Sequence, residues 1–223
     1  MKINYSLETI LPGIYHVKIK DRYDLAMTFC RVQEYYESPI KEIRNKPFNL
    51  LEFMATYAKK NNCGYFSYPD DWGGFNIPGR IIDKLYSTYI PDQNFYDDLI
   101  ISVHDTIVDQ FGSVEYYLIG SGGDTTTVAH EVCHGLFALN KAYKKSVQKL
   151  IKQIPDKICK KLSKAILTLG YCKQVIPDEI QAYVTTDFDI LIGDMTEKEV
   201  SKLDKISKEF AKNLKQYYMV KLP

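Results

Sequence analysis

The chain has 223 residues, of which 45% are hydrophobic, 13% aromatic and 26% charged, a composition typical of a folded globular protein. Its 29 Lys and Arg nearly balance its 28 Asp and Glu, so the net charge is too small to attract the chain to nucleic acid or to an anionic membrane. No apolar run approaches the roughly 20 residues that a bilayer requires, and the N-terminus has no apolar signal segment. The five cysteines form no CxxC pair and leave one over, which favours a reducing compartment, with the cytoplasm as the expected location.

The first half of the chain predicts a mixture of strands and helices. In chain order these are a strand over 13–19, a helix over 22–37, a helix over 49–62, an ordered loop over 67–79, and strands over 97–103 and 114–120. Alternating apolar residues indicate the strands, and apolar residues at steps of three or four indicate the helices. Asp21 is the expected cap of the first helix, and Asn49 with Glu52 has the spacing of a capping box.

The second half predicts mainly helices. They are a helix from about Thr125, two basic segments on either side of Pro155, a helix that Pro177 opens, and a last helix with Thr196 and Glu199 as its capping box. We therefore expect an α+β fold with a small mixed sheet and a helical C-terminal part. The expected organisation is a single domain over 1–223, with a mixed region of unknown role (1–110), a core (111–190) and a C-terminal helix (191–223).

The segment TTTVAHEVCHGLF, residues 125–137, places two of the four histidines four positions apart. On a helix, His130 and His134 lie one turn apart on the same face, so both imidazoles can point at one metal ion. A catalytic Zn²⁺ site has three protein ligands and a water. Glu131 lies about 100° around the helix from His130, where it can reach that water without binding the metal. The pattern predicts peptide-bond hydrolysis with Glu131 as general base.

The motif HEVCH at 130–134 resembles the HExxH motif of the zincin metallopeptidases. Phe137 and Asn140 stand where the metzincin subset has a glycine and a third histidine, so that subset is excluded. The segment PDEIQAYVTTD, residues 177–187, is similar to the ExxA-type segment of the ImmA/IrrE group of intracellular zincins, and indicates the gluzincin subset. The resemblance covers roughly residues 112–187, about a third of the chain.

The resemblance implies a zincin-like catalytic core over 111–190 with Glu179 as the third zinc ligand. It also implies that the strand over 114–120 is an edge strand beside the active-site helix, onto which substrate adds as another strand. Some gluzincins orient a histidine with an aspartate four residues after the ligand glutamate, but Tyr183 stands there. Tyr183 is instead a candidate donor of a hydrogen bond to the oxyanion of the reaction, as a phenol or imidazole is in the resembled families.

Four further residues are weaker candidates. His104 and His16 each have the chemistry of a proton donor or ligand, but we interpret both as packed histidines with their own partners. Cys133 lies inside the motif and is expected to point away from the metal into the core. Cys63 lacks the surrounding motif of the deformylases, which have a cysteine ligand upstream of HExxH.

Two other functions fit parts of the sequence. A non-catalytic zincin-fold protein would bind a partner peptide and keep a structural or vestigial metal, but a structural site has no use for Glu131. Nine lysines and one acid over 141–164 fit a nucleic-acid surface, but scattered lysines usually form a solvated helix face. We expect a zinc metallopeptidase acting on a peptide or protein, without a nucleic-acid or membrane partner. The sequence predicts no oligomeric state.

Overall fold

The structure is a computed structural model that describes residues 3–219. This part of the chain is α+β, as predicted, with ten α-helices and one four-stranded mixed sheet. The chain divides into two units, Met1–Asp124 and Thr125–Pro223. The boundary between the two units therefore follows Asp124, whereas the sequence predicted internal boundaries at 110 and 190. The interpretation of the chain as a single domain stays a prediction. None of the helices within residues 3–219 combines the length and the apolar character needed to cross a bilayer.

The sheet belongs to the first unit. Its strands are β1 Tyr5–Leu11, β2 Ile14–Ile19, β3 Gly74–Pro78 and β4 Tyr117–Ser121, in the spatial order β1-β2-β4-β3. β2 pairs antiparallel with β1 and parallel with β4, and β3 pairs antiparallel with β4. β2 and β4 confirm the strands predicted over 13–19 and 114–120.

The expectation that the strand over 114–120 is an edge strand is wrong. β4 lies between β2 and β3 and is hydrogen-bonded on both sides, so no free backbone remains there for an added peptide strand. The prediction missed β3, the strand that pairs with the other side of β4. β3 lies in the segment 67–79, which was predicted to be an ordered loop. A short strand of five residues between prolines and glycines gives too little alternation to detect.

Five helices accompany this sheet. They are α1 Arg22–Glu37, α2 Leu50–Lys60, α3 Tyr68–Asp71, α4 Gly79–Tyr86 and α5 Phe95–Phe111. The predicted helices over 22–37 and 49–62 are confirmed, and the side chains of Asp21 and Asn49 accept the expected capping hydrogen bonds. α1 packs close to the sheet at Gly120, where a Cβ would clash with the Phe29 ring.

The strand predicted over 97–103 is also wrong, because these residues lie inside α5. A short apolar run of Leu, Ile and Val fits a buried helix as well as a strand. Local capping decides between them: Asn94 and Asp97 form a capping box, and Gly112 ends the helix in the left-handed conformation at φ 73°.

The second unit consists of helices in its described part. They are α6 Thr125–Leu139, α7 Lys141–Ile151, α8 Asp156–Thr168, α9 Ile176–Thr186 and α10 Glu197–Lys215, with short 3₁₀ turns at Lys173–Val175 and Phe188–Leu191. The capping box of Thr196 and Glu199 is present at the start of α10. α9 packs against α6, α7, α8 and α10, so its residues reach the centre of this unit.

Candidate metal centre

The two histidines of HEVCH lie on α6, one turn apart. Nε2 of His130 is 3.2 Å from Nε2 of His134, and the two ring centroids are 5.0 Å apart. His134 is buried, whereas His130 is partly exposed. The two imidazoles therefore converge through their Nε2 atoms, as the spacing of four residues on one helix face predicts.

Glu179 comes to the same point from α9. Its Oε2 lies 3.7 Å from Nε2 of His130, and its Oε1 lies 3.7 Å from Nε2 of His134. Ligand atoms of these three residues all lie within 4.8 Å of one another. Pro177 occupies the first turn of α9, where its missing N–H costs no helical hydrogen bond.

These distances fit a tetrahedral zinc ion. Two ligand atoms about 2.1 Å from zinc lie about 3.4 Å apart. The two imidazole nitrogens are separated by 3.2 Å, and each of them lies 3.7 Å from one of the two Glu179 oxygens. Oε2 of Glu179 is buried and has no hydrogen-bond partner, although a buried carboxylate oxygen needs a donor or a metal ion. The residues present therefore suit a zinc ion.

Asp178, the neighbour of Glu179 in sequence, fixes the ring of His134. Its Oδ1 lies 3.0 Å from Nδ1 of His134. When Nδ1–H donates to this carboxylate, the lone pair of Nε2 points toward the other two ligands. The resemblance to gluzincins placed such a partner at position 183, where this chain has Tyr183. A carboxylate next to the ligand glutamate was the available signal.

Thr186 holds the other imidazole in a matching tautomer. Its hydroxyl donates to the backbone oxygen of Ala182 at 2.9 Å and lies 3.3 Å from Nδ1 of His130. Because the hydroxyl hydrogen is already used, Nδ1 of His130 is the donor and its Nε2 carries the lone pair. The two Nε2 atoms, 3.2 Å apart, are then left to share a proton or a metal ion. No pattern of residues pointed to Thr186 beforehand.

The carboxylates around His134 alter its proton affinity. Burial by itself lowers the pKa of His134, but the charges of Asp178, Glu179 and Glu131 and the hydrogen bond to Asp178 outweigh burial and hold the pKa well above its ordinary value. A proton and a metal ion compete for the same nitrogen, so metal binding displaces that proton.

Glu131 follows His130 on α6 and is only 5% exposed. It is not among the three clustered ligands, but its negative charge raises the pKa of His134 and Tyr183. The carboxylate therefore acts electrostatically on the cluster, while the imidazoles and Glu179 supply the ligand atoms.

Tyr183 lies on α9, one turn after Glu179. Its ring packs edge-on against His130, with ring centroids 4.6 Å apart, and its hydroxyl lies 3.0 Å from the hydroxyl of Tyr171. Burial raises the pKa of Tyr183 to about 12, with smaller contributions from the charges of Glu179 and Glu131. The phenol therefore keeps its proton at neutral pH and remains a hydrogen-bond donor. Tyr171 was not recognised in the sequence.

The weaker histidine and cysteine candidates have local partners. His104 lies within α5 and not at the end of the strand predicted over 97–103. Its Nδ1 is 2.8 Å from the hydroxyl of Tyr116. Buried His16 is hydrogen-bonded at both ring nitrogens. Cys133 is buried, and Cys63 is half-buried and does not appear among the clustered metal ligands of residues 3–219. The packed interpretation of His104, His16 and Cys133 is therefore consistent with their surroundings.

Part of the lysine-rich segment over 141–164 pairs with acids in the same unit. Lys157 and Lys161 lie 3.0 Å and 2.8 Å from Glu199, and Lys164 lies 3.3 Å from Asp194. Lysines that are paired with carboxylates contribute less to binding a polyanion, because the polyanion must first displace the carboxylates.

Comparisons of the chain with protein-family models, curated proteins and solved structures find no match. The resemblance to the zincins stays a prediction that rests on the HEVCH and EIQAY segments. A function for this chain must therefore be inferred from the chemistry of its site.

Proposed function

We propose that this chain is a zinc-dependent metallopeptidase of zincin-like fold, in which His130, His134 and Glu179 hold Zn²⁺ and Glu131 is the general base. One observation carries the proposal. Three ligand atoms of the types that zinc prefers lie within 4.8 Å of one another, and both imidazoles are fixed through their Nδ1 atoms.

Zn²⁺, when bound, supplies a Lewis acid that acidifies water and polarises a carbonyl group. The chain's own residues move the proton. The carboxylate of Glu131 accepts a proton from the attacking water, whose oxygen bonds to the scissile carbonyl carbon. Glu131 then gives that proton to the leaving nitrogen as the carbon–nitrogen bond breaks. Tyr183 donates a hydrogen bond to the carbonyl oxygen as negative charge develops there.

The number of ligands favours catalysis over a structural role. Structural zinc sites usually have four protein ligands, whereas catalytic sites have three and leave one position for water. Within residues 3–219, the cluster contains three such residues. A non-catalytic protein would also have no use for the buried carboxylate of Glu131 beside them.

The five cysteines support a reducing compartment. All of them are free thiols, which is typical of proteins outside the secretory pathway. We propose the cytoplasm as the site of action and a peptide or protein as the substrate.

Metal analysis and one pair of variants test the proposal. The purified chain should contain about one zinc per molecule and cleave members of a quenched-fluorescent peptide library. Glu131→Gln should retain zinc and lose hydrolysis by about 100-fold or more. Glu209→Gln, which changes an exposed glutamate on α10, is the matched control and should behave as wild type.

Two results would contradict the proposal in different ways. A chain that neither retains nor rebinds zinc has no metal centre of the proposed kind. A chain that binds zinc but hydrolyses peptides no faster than the Glu131→Gln variant does is a metal-binding protein without peptidase activity. That is the alternative that the sequence left open.

A further inference from the structure

Two tyrosine hydroxyls meet beside the metal cluster. The hydroxyl of Tyr171 lies 3.0 Å from that of Tyr183, and their rings are edge-on with centroids 6.3 Å apart. Tyr183 in turn packs against His130. Tyr171 thus contacts the phenol that the proposed reaction uses, although it lies outside every motif identified in the sequence.

The end of α8 places Tyr171 there. Gly170 adopts the left-handed conformation at φ 102°. Its N–H donates to the oxygen of Leu167, and the N–H of Tyr171 donates to the oxygen of Ile166. These two bonds form a Schellman motif, which ends the helix and turns the chain at a fixed angle. The position of Tyr171 is therefore set by a rigid helix end.

A hydroxyl can rotate about its C–O bond, so Tyr183 needs a partner to aim its hydrogen. If Tyr171 donates to the oxygen of Tyr183, the hydrogen of Tyr183 is left for the carbonyl oxygen of a substrate. Accepting one hydrogen bond also polarises the Tyr183 hydroxyl and makes it a stronger donor. The partner thus supplies both direction and donor strength.

We infer that Tyr171 is a positioning residue, which orients the Tyr183 hydroxyl toward the oxyanion of a peptide undergoing hydrolysis. The inference rests on the proposed function. Tyr171 acts through Tyr183 and takes no proton itself, so its hydroxyl should matter only while that of Tyr183 is present.

A double-variant experiment on the full zinc-loaded chain tests this order of action. Tyr183→Phe should lower kcat by about 100-fold, as expected for loss of an oxyanion donor. Tyr171→Phe should lower kcat by about 10-fold and leave KM within about twofold, since the effect falls on the transition state. Adding Tyr171→Phe to Tyr183→Phe should cause no further loss.

Binding of inorganic phosphate provides a readout independent of turnover. Phosphate is a tetrahedral oxyanion, and its dissociation constant can be measured by calorimetry on the zinc-loaded chain. Both single variants should weaken phosphate binding several-fold. Tyr217→Phe is the matched control, because Tyr217 forms another edge-on tyrosine pair, with Tyr143, in the same unit; it should change neither measurement.

The outcomes separate this inference from the proposed function. A wild-type chain without zinc overturns both. If wild type binds zinc and phosphate but Tyr171→Phe binds phosphate as Tyr217→Phe does, the positioning role is overturned and the metal centre stands. Additive losses in kcat in the double variant would also overturn it. Zinc content and thermal unfolding of each variant show whether a loss comes from misfolding. Gly170→Ala strains the end of α8 but keeps the Tyr171 hydroxyl, and it should reproduce the losses of Tyr171→Phe in kcat and in phosphate binding.

Discussion

His134 and Asp178 form a hydrogen-bonded ion pair, with Nδ1 of the imidazole 3.0 Å from Oδ1 of the carboxylate. The contact joins α6 to the first turn of α9, and it lies one residue before the proposed ligand Glu179. A partner that holds a ligand imidazole in one tautomer raises its affinity for metal. The pair therefore belongs to the proposed metal centre, although Asp178 contributes no ligand atom to it.

Replacing this carboxylate should weaken zinc binding. Asp178→Asn keeps an acceptor for Nδ1 but removes the charge, so we expect a loss of zinc affinity of about 10-fold to 100-fold. Competition with a chromophoric chelator measures it. Asp156→Asn changes an acid in the first turn of α8 and should leave the affinity unchanged; equal losses in both variants would contradict a specific role for Asp178.

The hydroxyl of Thr186 should matter for the other imidazole. Thr186→Val has nearly the same shape but offers no acceptor to Nδ1 of His130, so zinc affinity should fall by about 10-fold. Thr186→Ser retains the hydroxyl and should bind zinc as wild type does. The same chelator competition distinguishes the two variants. Identical zinc affinities of Thr186→Val and Thr186→Ser would show that this hydroxyl does not hold His130.

A polar contact between neighbouring strands should stabilise the sheet. Nε2 of His16 on β2 shares a 2.9 Å hydrogen bond with the hydroxyl of Ser121 on β4, and both residues are buried. Ser121→Ala leaves Nε2 without a partner and should lower the free energy of unfolding by about 1–3 kcal/mol. Urea unfolding followed by the fluorescence of Trp72, the only tryptophan, measures the loss.

The control for this prediction is Ser6→Ala, which changes an exposed serine on β1 and should alter stability by less than about 0.5 kcal/mol. If Ser121→Ala and Ser6→Ala unfold at the same urea concentration, the buried hydrogen bond contributes nothing measurable to the stability of the unit.

The contribution of Glu34 to the stability of the first unit should fall as the pH rises above about 4.5, the ordinary pKa of a glutamate. Burial raises the pKa of Glu34 on α1, and a hydrogen bond with Ser38 offsets only part of that rise. The folded chain therefore holds this proton more tightly than the unfolded chain does. Its contribution to stability is complete below the unfolded pKa and is lost as the pH rises through the higher folded pKa.

Glu34→Gln removes this dependence, because an amide does not ionise. The variant should be more stable than wild type at pH 7.5, and the difference should shrink toward pH 4. Glu42→Gln, at an exposed position, serves as the control in the same urea titrations. A stability difference between Glu34→Gln and wild type that is constant with pH would contradict the prediction.

Local sequence was sufficient for most of the helices. Asp21, Asn49 and Thr196 accept the capping hydrogen bonds that their positions predict, because a cap depends only on residues within one turn. It was insufficient for α5, where an apolar run fits either element, and for β3, whose five residues become a strand only by pairing with β4. That pairing also turned the expected edge strand into an interior one.

For the candidate site, the sequence by itself determined the convergence of His130 and His134, because 3.6 residues per turn place positions i and i+4 on one face whatever surrounds the helix. Resemblance alone pointed to Glu179. Only the tertiary structure decided that Asp178, Thr186 and Tyr171 lie around these ligands, because their contacts cross between α6, α9 and the end of α8. Such contacts depend on how helices pack, and no local pattern of residues encodes that packing.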